Sequence, residues 1–157
     1  MSKLERTLII VKPDALQRSL LGRIITRFEE KGLKIAGMKM GFLSDDLLNE
    51  HYSHIADKPF FGDLKNFMKS SPVVFMVLEG VEVIETVRII VGPTKGRSAD
   101  AGSVRGDFSM SNSNNVVHAS DSLETAVKEI KRFFKTEELY NYKKDDWNWV
   151  YGTDELN

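Results

Sequence analysis

The segment Val73-Val74-Phe75-Met76-Val77-Leu78, bounded by Pro72 and Gly80, limits the architecture more than any other part of the chain. It has no polar alternation, so a strand built from it has no solvent face and belongs at the centre of a sheet covered on both sides. No apolar run in the chain is longer than these six residues. A membrane-spanning helix needs about 20, so no such helix is expected.

The flanking patterns say what surrounds that strand. Thr7 to Val11 is β-branched and aliphatic, and Lys12-Pro13-Asp14 closes it: the proline ends the strand and predicts a turn. Leu20, Leu21, Ile24, Ile25 and Phe28 recur at helical spacing, with Gly32 as the stop. Leu33 to Leu43 alternates imperfectly and reads as a half-buried strand. Ser44 caps a helix to about His54, and Lys58-Pro59 breaks the chain before a second helix from Phe60 to about Met68. Val83, Ile84, Val87, Ile90 and Val91 form another helical stripe, with Arg88 at its edge.

Residues 92–115 show no sustained period, which predicts a long loop; its arginines and Phe108 favour an ordered one, and loops of that length in small domains tend to be functional. Val116 and Val117 give a very short strand. Asp121 and Glu124, at capping-box spacing, open a helix striped by Leu123, Ala126, Val127, Ile130, Phe133 and Phe134, with Glu129 at its border. The order β, α, β, αα, β, α, loop, β, α predicts an α+β fold: a ferredoxin-like α/β sandwich with a four-stranded antiparallel sheet and helices on its faces.

A chain of 157 residues suits a single domain, 1–157, that can bury a core without staples. Its tail, from about 137 to 157, carries Trp147, Trp149, Val150 and Tyr151, which predicts a segment strapped onto the body or onto a neighbouring subunit. The absence of cysteine excludes disulfides and thiol chemistry. With 22 basic against 23 acidic residues, the chain lacks the charge of a protein that lives on nucleic acid phosphates, so any phosphate site must be local. Met1 to Arg6 lacks the basic and apolar regions of a secretory signal, and a cytoplasmic location is expected.

Neither a Walker A loop nor a Gly-x-Gly-x-x-Gly turn is present, so a nucleotide site must be built otherwise. His51 and His54 sit three apart on one helix without a zincin motif, and read as a solvated face. His118 differs: it ends an apolar strand, Ser120 and Asp121 follow it, and Glu129 lies in the next helix. A carboxylate within reach of an imidazole fixes its tautomer and strengthens it as a nucleophile. Lys12, Arg88, Thr94, Lys95, Arg97 and Arg105 are phosphate-type donors, and their convergence on one histidine would make a phosphoryl-transfer site.

These residues match a known pattern. Glu5-Arg6-Thr7, Val11-Lys12-Pro13-Asp14, His51-Tyr52, Lys58-Pro59-Phe60-Phe61, Arg105-Gly106-Asp107-Phe108 and Asn115-Val116-Val117-His118-Ala119-Ser120-Asp121-Ser122 follow one another at the spacing of the nucleoside diphosphate kinases, which the chain resembles over nearly its whole length. The resemblance implies a ping-pong enzyme that moves the γ-phosphate of a nucleoside triphosphate to a nucleoside diphosphate through a phosphohistidine, with broad base and sugar tolerance. It implies His118 as nucleophile and Glu129, with Ser120, as its orienting groups. It further assigns Lys12, Tyr52, Arg88, Thr94, Arg105 and Asn115 to phosphates, ribose and catalytic geometry, and Phe60 to stacking on the base. Mg2+ is expected to arrive on the nucleotide phosphates rather than on protein ligands, and the assembly is expected to be a dimer-based homo-oligomer, a hexamer.

Three departures stand out. Asn112 occupies the position where the family places an apolar residue against the base, Ala119 replaces a glycine, and Gly96 and Ala101 stand where prolines are common, which predicts a looser loop. The alternative to the enzyme is a non-catalytic nucleotide- or nucleic acid-binding module on the same fold; an interaction protein using the aromatic tail is a third possibility.

Overall fold

The computed structural model describes residues 4–156; the first three residues of the N-terminal stretch read above, and Asn157, lie outside it. Four strands, β1 (Leu4–Val11), β2 (Lys34–Gly41), β3 (Val73–Val81) and β4 (Val117–Ala119), form one sheet in the order β2-β3-β1-β4. Every neighbouring pair is antiparallel. β3 lies inside the sheet and is buried along its apolar run, as its lack of alternation requires.

Each face of the sheet carries its own core. On one face Ile9, Val11, Met76 and Leu78 pack with α2 (Leu21–Glu30) and α5 (Val83–Val91). On the other Leu8, Ile10, Phe75 and Val77 pack with α3 (Asp45–His51), α4 (Phe61–Lys69) and α7 (Leu123–Phe133). The two-residue period of β1 thus serves both layers at once. Burying each such aliphatic side chain contributes about 1.5–3 kcal/mol.

Several local expectations need correction. Pro13 does not merely end β1: it opens a short helix, α1 (Pro13–Gln17), because its fixed φ and missing N–H suit the first helical position. The helix from Ser44 stops at His51, and Ser53–Ile55 continues as a 3-10 turn. Residues 92–115 contain a 3-10 turn at Gly96–Ser98 and a helix, α6 (Val104–Phe108), capped by the Ser103 hydroxyl. The cap of α7 is Ser122, whose Oγ accepts from Thr125 N–H at 3.1 Å, and not Asp121. Leu123 and Val127 are exposed, while Glu129 is buried within the stripe it was expected to border.

The segment from 92 to 115 is also tighter than its missing prolines suggest. Gly96 N–H donates to the Ser111 carbonyl at 3.1 Å, a bond proline cannot make, and a Cβ at Gly96 would run into Ser109. Arg18 donates to the Phe108 carbonyl at 2.5 Å and Arg27 to Asp107 at 2.5 Å, tying α6 to the body.

The tail folds back on its own chain. Lys34, on β2, donates to the Tyr142 carbonyl at 2.8 Å and pairs with Glu79 at 2.5 Å, while Arg6 holds the same carboxylate at 2.6 Å. Burial pushes the Glu79 carboxyl up, but the hydrogen bonds from Lys34 and Arg6 and their charges outweigh it and leave the group below its ordinary pKa. Trp147 Nε1–H donates to the Gly32 carbonyl at 3.0 Å, and the Tyr151 hydroxyl accepts from Val81 N–H at 3.1 Å. α8 (Trp147–Val150) leaves Trp149 92% exposed. No helix among the described residues is long and apolar enough to cross a membrane.

Candidate active site

The end of β1 lies beside the start of β4, with Ile10 opposite His118 in the ladder. The backbone that delivers His118 is a tight three-residue turn: Val117 N–H bonds to the Asn115 carbonyl at 2.8 Å, and Val116 between them has φ +65°. A β-branched residue in that region is strained, at about 1–3 kcal/mol, and persists only when neighbours hold it. They do: Val116 N–H donates to Asp14 Oδ2 at 3.1 Å, and its carbonyl accepts from Lys12 N–H at 2.9 Å. α1 therefore braces the turn, a role for Asp14 that its position after a strand-ending proline did not reveal.

The turn opens into a cleft of about 990 Å³. Lys12, Tyr52, Phe60, Arg88, Thr94, Arg105, Asn112, Asn115, His118 and Glu129 all line it; Ser120 is fully buried behind it. His118 Nε2 lies 2.9 Å from Glu129 Oε2, and the Ser120 hydroxyl donates to Glu129 Oε1 at 2.6 Å. Ser120 is itself fixed by β1, since Leu8 N–H donates to its Oγ at 3.2 Å. Burial pushes the Glu129 carboxyl up, but the hydrogen bonds from His118 and Ser120, with the charge of His118, bring it below its ordinary pKa. An ionised carboxylate only accepts, so the neutral form of His118 carries its proton on Nε2 and keeps a lone pair on Nδ1.

The cationic side of the cleft is just as constrained. Lys12 Nζ donates to Asn115 Oδ1 at 2.7 Å, while Asn115 Nδ2 donates to the carbonyls of Thr94 at 3.1 Å and Asn112 at 3.0 Å. Asn115 thus ties both ends of the loop to β1. Burial, then the charge of Arg105, lowers the Lys12 pKa to about 8 against a smaller opposing pull from Asp14. Arg105 donates to the carbonyls of Gly92 at 2.9 Å, Asn115 at 3.3 Å and Val117 at 2.6 Å. Much of its guanidinium is spent shaping the loop, and burial with the nearby Arg88 lowers its pKa to about 10. Burial, aided by Glu129, raises the Tyr52 hydroxyl to about 12, so it stays a neutral donor. Phe60 is half exposed and offers a free aromatic surface.

One expectation fails outright. His51 is not on a solvated face: it is buried, and its ring meets that of His118 edge-on at 4.7 Å. Leu48, three residues earlier on α3, is also buried, and that spacing was the available signal. His54 is exposed, although it too borders the cleft.

The donor atoms of His51, His118 and Glu129 lie within 4.8 Å of one another. Two imidazoles and one carboxylate do not suit Mg2+, which takes oxygen ligands and keeps much of its water. The Glu129 oxygens are already engaged by His118 and Ser120. The cleft's chemistry therefore fits magnesium brought in on a ligand's phosphates.

A sandwich of this topology, with lysine and arginine donors around an imidazole in one open cleft, suits phosphoryl transfer to or from that imidazole. The family model for nucleoside diphosphate kinase matches residues 5–139. The nucleoside diphosphate kinase of Parabacteroides distasonis is 51% identical over 153 residues, covering 98% of this chain and all of that one. Human nucleoside diphosphate kinase A is 46% identical over 151 residues, covering 96% and 99% of the two chains. Among solved structures, a halophilic nucleoside diphosphate kinase from Halobacterium salinarum, in complex with CDP, superposes with a TM-score of 0.91 at 42% identity, covering 94% of this chain and 98% of that one. A Babesia bovis member of the family superposes at 0.90 with 43% identity, covering 94% and 99%. The chain belongs to the nucleoside diphosphate kinase family, and its activity is that of a nucleoside-diphosphate kinase.

Proposed function

We propose that this chain carries out the transfer by a ping-pong route through a phosphohistidine at His118. The observation that carries the reading is the Glu129–His118 hydrogen bond at 2.9 Å, which occupies Nε2 and leaves Nδ1 as the available nitrogen of a side chain that lines the cleft. Nδ1 attacks the γ-phosphorus of the bound triphosphate. The N–P bond forms as the bond to the β,γ-bridging oxygen breaks, and the diphosphate departs with that electron pair. A second diphosphate then reverses these events and restores the imidazole.

Lys12, Arg88 and Arg105 balance charge on the phosphates, with Tyr52, Thr94 and Asn115 fixing phosphates and ribose. Mg2+, carried by the nucleotide, supplies further charge neutralisation when bound. Phe60 stacks on the base through a π-face that every base offers, and that supports broad base tolerance. Asn112 stands at the rim where an apolar contact is usual for the resemblance. The CDP bound to the Halobacterium relative supports nucleoside diphosphates as ligands of this cleft. We also place the protein in the cytoplasm, with its nucleotide substrates, and read it as a dimer-based hexamer.

The test is γ-labelled triphosphate. Stoichiometric label on His118 that survives alkali, is lost in acid and is discharged by added diphosphate is expected, with parallel double-reciprocal lines for two varied nucleotides. Intersecting lines with His118 unlabelled would overturn the route. His118→Ala should abolish turnover; Glu129→Ala should slow it while leaving phosphoenzyme detectable.

A further inference from the structure

Behind the His118–Glu129 pair lies a group that the transfer step does not use. The His51 side chain is 2% exposed and packs edge-on against His118, Tyr52 and Phe133. Its Nδ1 lies 3.4 Å from Glu129 Oε2, the same oxygen that His118 Nε2 approaches at 2.9 Å. Two imidazoles converge on one carboxylate oxygen. Were both donors, they would compete for it, and any share taken by His51 would loosen the bond that fixes the His118 tautomer.

Arg132, on the last turn of α7, settles that competition. Its NH1 lies 3.0 Å from His51 Nδ1. A guanidinium has no acceptor, so the imidazole must present a lone pair at Nδ1. Glu50 attracts the arginine by charge, with Oε1 3.2 Å from Nε but no hydrogen bond formed there, and the guanidinium lies 6.0 Å from the Phe133 ring centroid. The proton of His51 is thereby driven to Nε2, which is buried without a hydrogen-bond partner among the described residues. Leaving that N–H unpaired is costly, so the arrangement requires a stronger constraint at the other nitrogen, and the charged donor supplies it. Burial, with the neighbouring His118, also lowers the His51 pKa to about 3, so protonation does not turn Nδ1 back into a donor.

We propose that Arg132 is a positioning residue that acts through His51: by donating to His51 Nδ1 it holds His51 as the Nε2–H tautomer, removes it as a rival donor, and reserves Glu129 Oε2 for His118. The inference rests on the reading of His118 as nucleophile and adds to it a cation that sets the tautomer without touching the reacting nitrogen.

Long-range 1H–15N correlation spectra of the resting enzyme read both tautomers directly. In the wild type His51 and His118 should each carry the proton on Nε2. In Arg132→Met, His51 should move to Nδ1–H, His118 should lose part of its Nε2–H signature, and the single-turnover phosphorylation rate should fall by roughly tenfold, the effect of redistributing one charge-assisted hydrogen bond. His51→Phe keeps a ring against His118 but removes the rival, so Arg132→Met, His51→Phe should phosphorylate as fast as His51→Phe alone. An Nδ1–H tautomer of His51 in the wild type would overturn the proposal even if the variants failed to fold. A double variant as slow as Arg132→Met would also overturn it, by making Arg132 a direct phosphate ligand. Labelling of wild-type His118 is scored separately, so failure of the phosphohistidine reading and failure of the tautomer reading are distinguishable.

Discussion

Lys12 holds its charge against burial: it is 7% exposed, and its pKa falls from 10.5 to about 8. Stability and binding should then respond to pH in opposite directions. Between pH 8 and 10.5 the unfolded chain holds a proton that the folded chain has released, so the contribution of this residue to stability rises with pH. Over the same interval the folded protein loses the cation we propose to face the phosphates. Diphosphate affinity measured calorimetrically should weaken above about pH 8 with no parallel drop in Tm from this group, and Lys12→Arg should remove that limb. At this scale the sequence made some residues readable and hid others, for a physical reason. Lys12 stood out because it follows the apolar run of β1, and His118 because it follows Val116-Val117, although the structure puts Val116 in the turn and His118 in the middle of β4. His51, Asp14 and Arg132 did not stand out, because their roles depend on partners far along the chain, Arg132 itself lying 81 residues from His51, a distance that no local period encodes.

Among elements, the segment from 92 to 115 shows how packing overrides a local preference. A missing proline suggests a floppier chain, yet the Gly96 N–H is engaged and its Cα abuts Ser109. Gly96→Ala should therefore lower stability by about 1–3 kcal/mol through overpacking, read as a reduced denaturation midpoint, and Gly96→Pro should cost more because it also removes the bond to Ser111. Unchanged midpoints would show that the segment gives way freely. Hydrophobic period revealed β3, α2 and α5 because each buries a stripe or run, and α7 through Ala126, Ile130 and Phe133 even though Leu123 and Val127 are exposed. It missed α6, whose five residues are too few to establish a period and whose arginine is used by backbone carbonyls.

At the scale of the whole molecule, β2 is an outer strand that exposes Met38 and Met40, with Phe42 continuing the alternation. The tail occupies part of that strand's edge, where Tyr140 N–H donates to the Ala36 carbonyl at 2.7 Å, and the exposed apolar row beyond it favours association. Light scattering at micromolar concentration should give six times the 17.8 kDa chain mass, and Met40→Glu should shift it to smaller species. A tetrameric or monomeric wild type would refute the hexamer. The inner place of β3 was legible because its run has no polar face, whereas this exposed row could not be foreseen from a strand read only as half-buried. The hydrogen bond between Lys12 and Asn115 also sets a clock. The two residues are 103 positions apart, and a ribosome adding about 5–20 residues per second needs about 5–20 s to make the second after the first. Throughout that interval β1 waits without β4, so a nascent or truncated chain can own its inner strands and still lack any phosphate site. Catalytic competence is thus among the last properties the growing polypeptide acquires, and premature release yields inert fragments rather than a half-armed nucleophile.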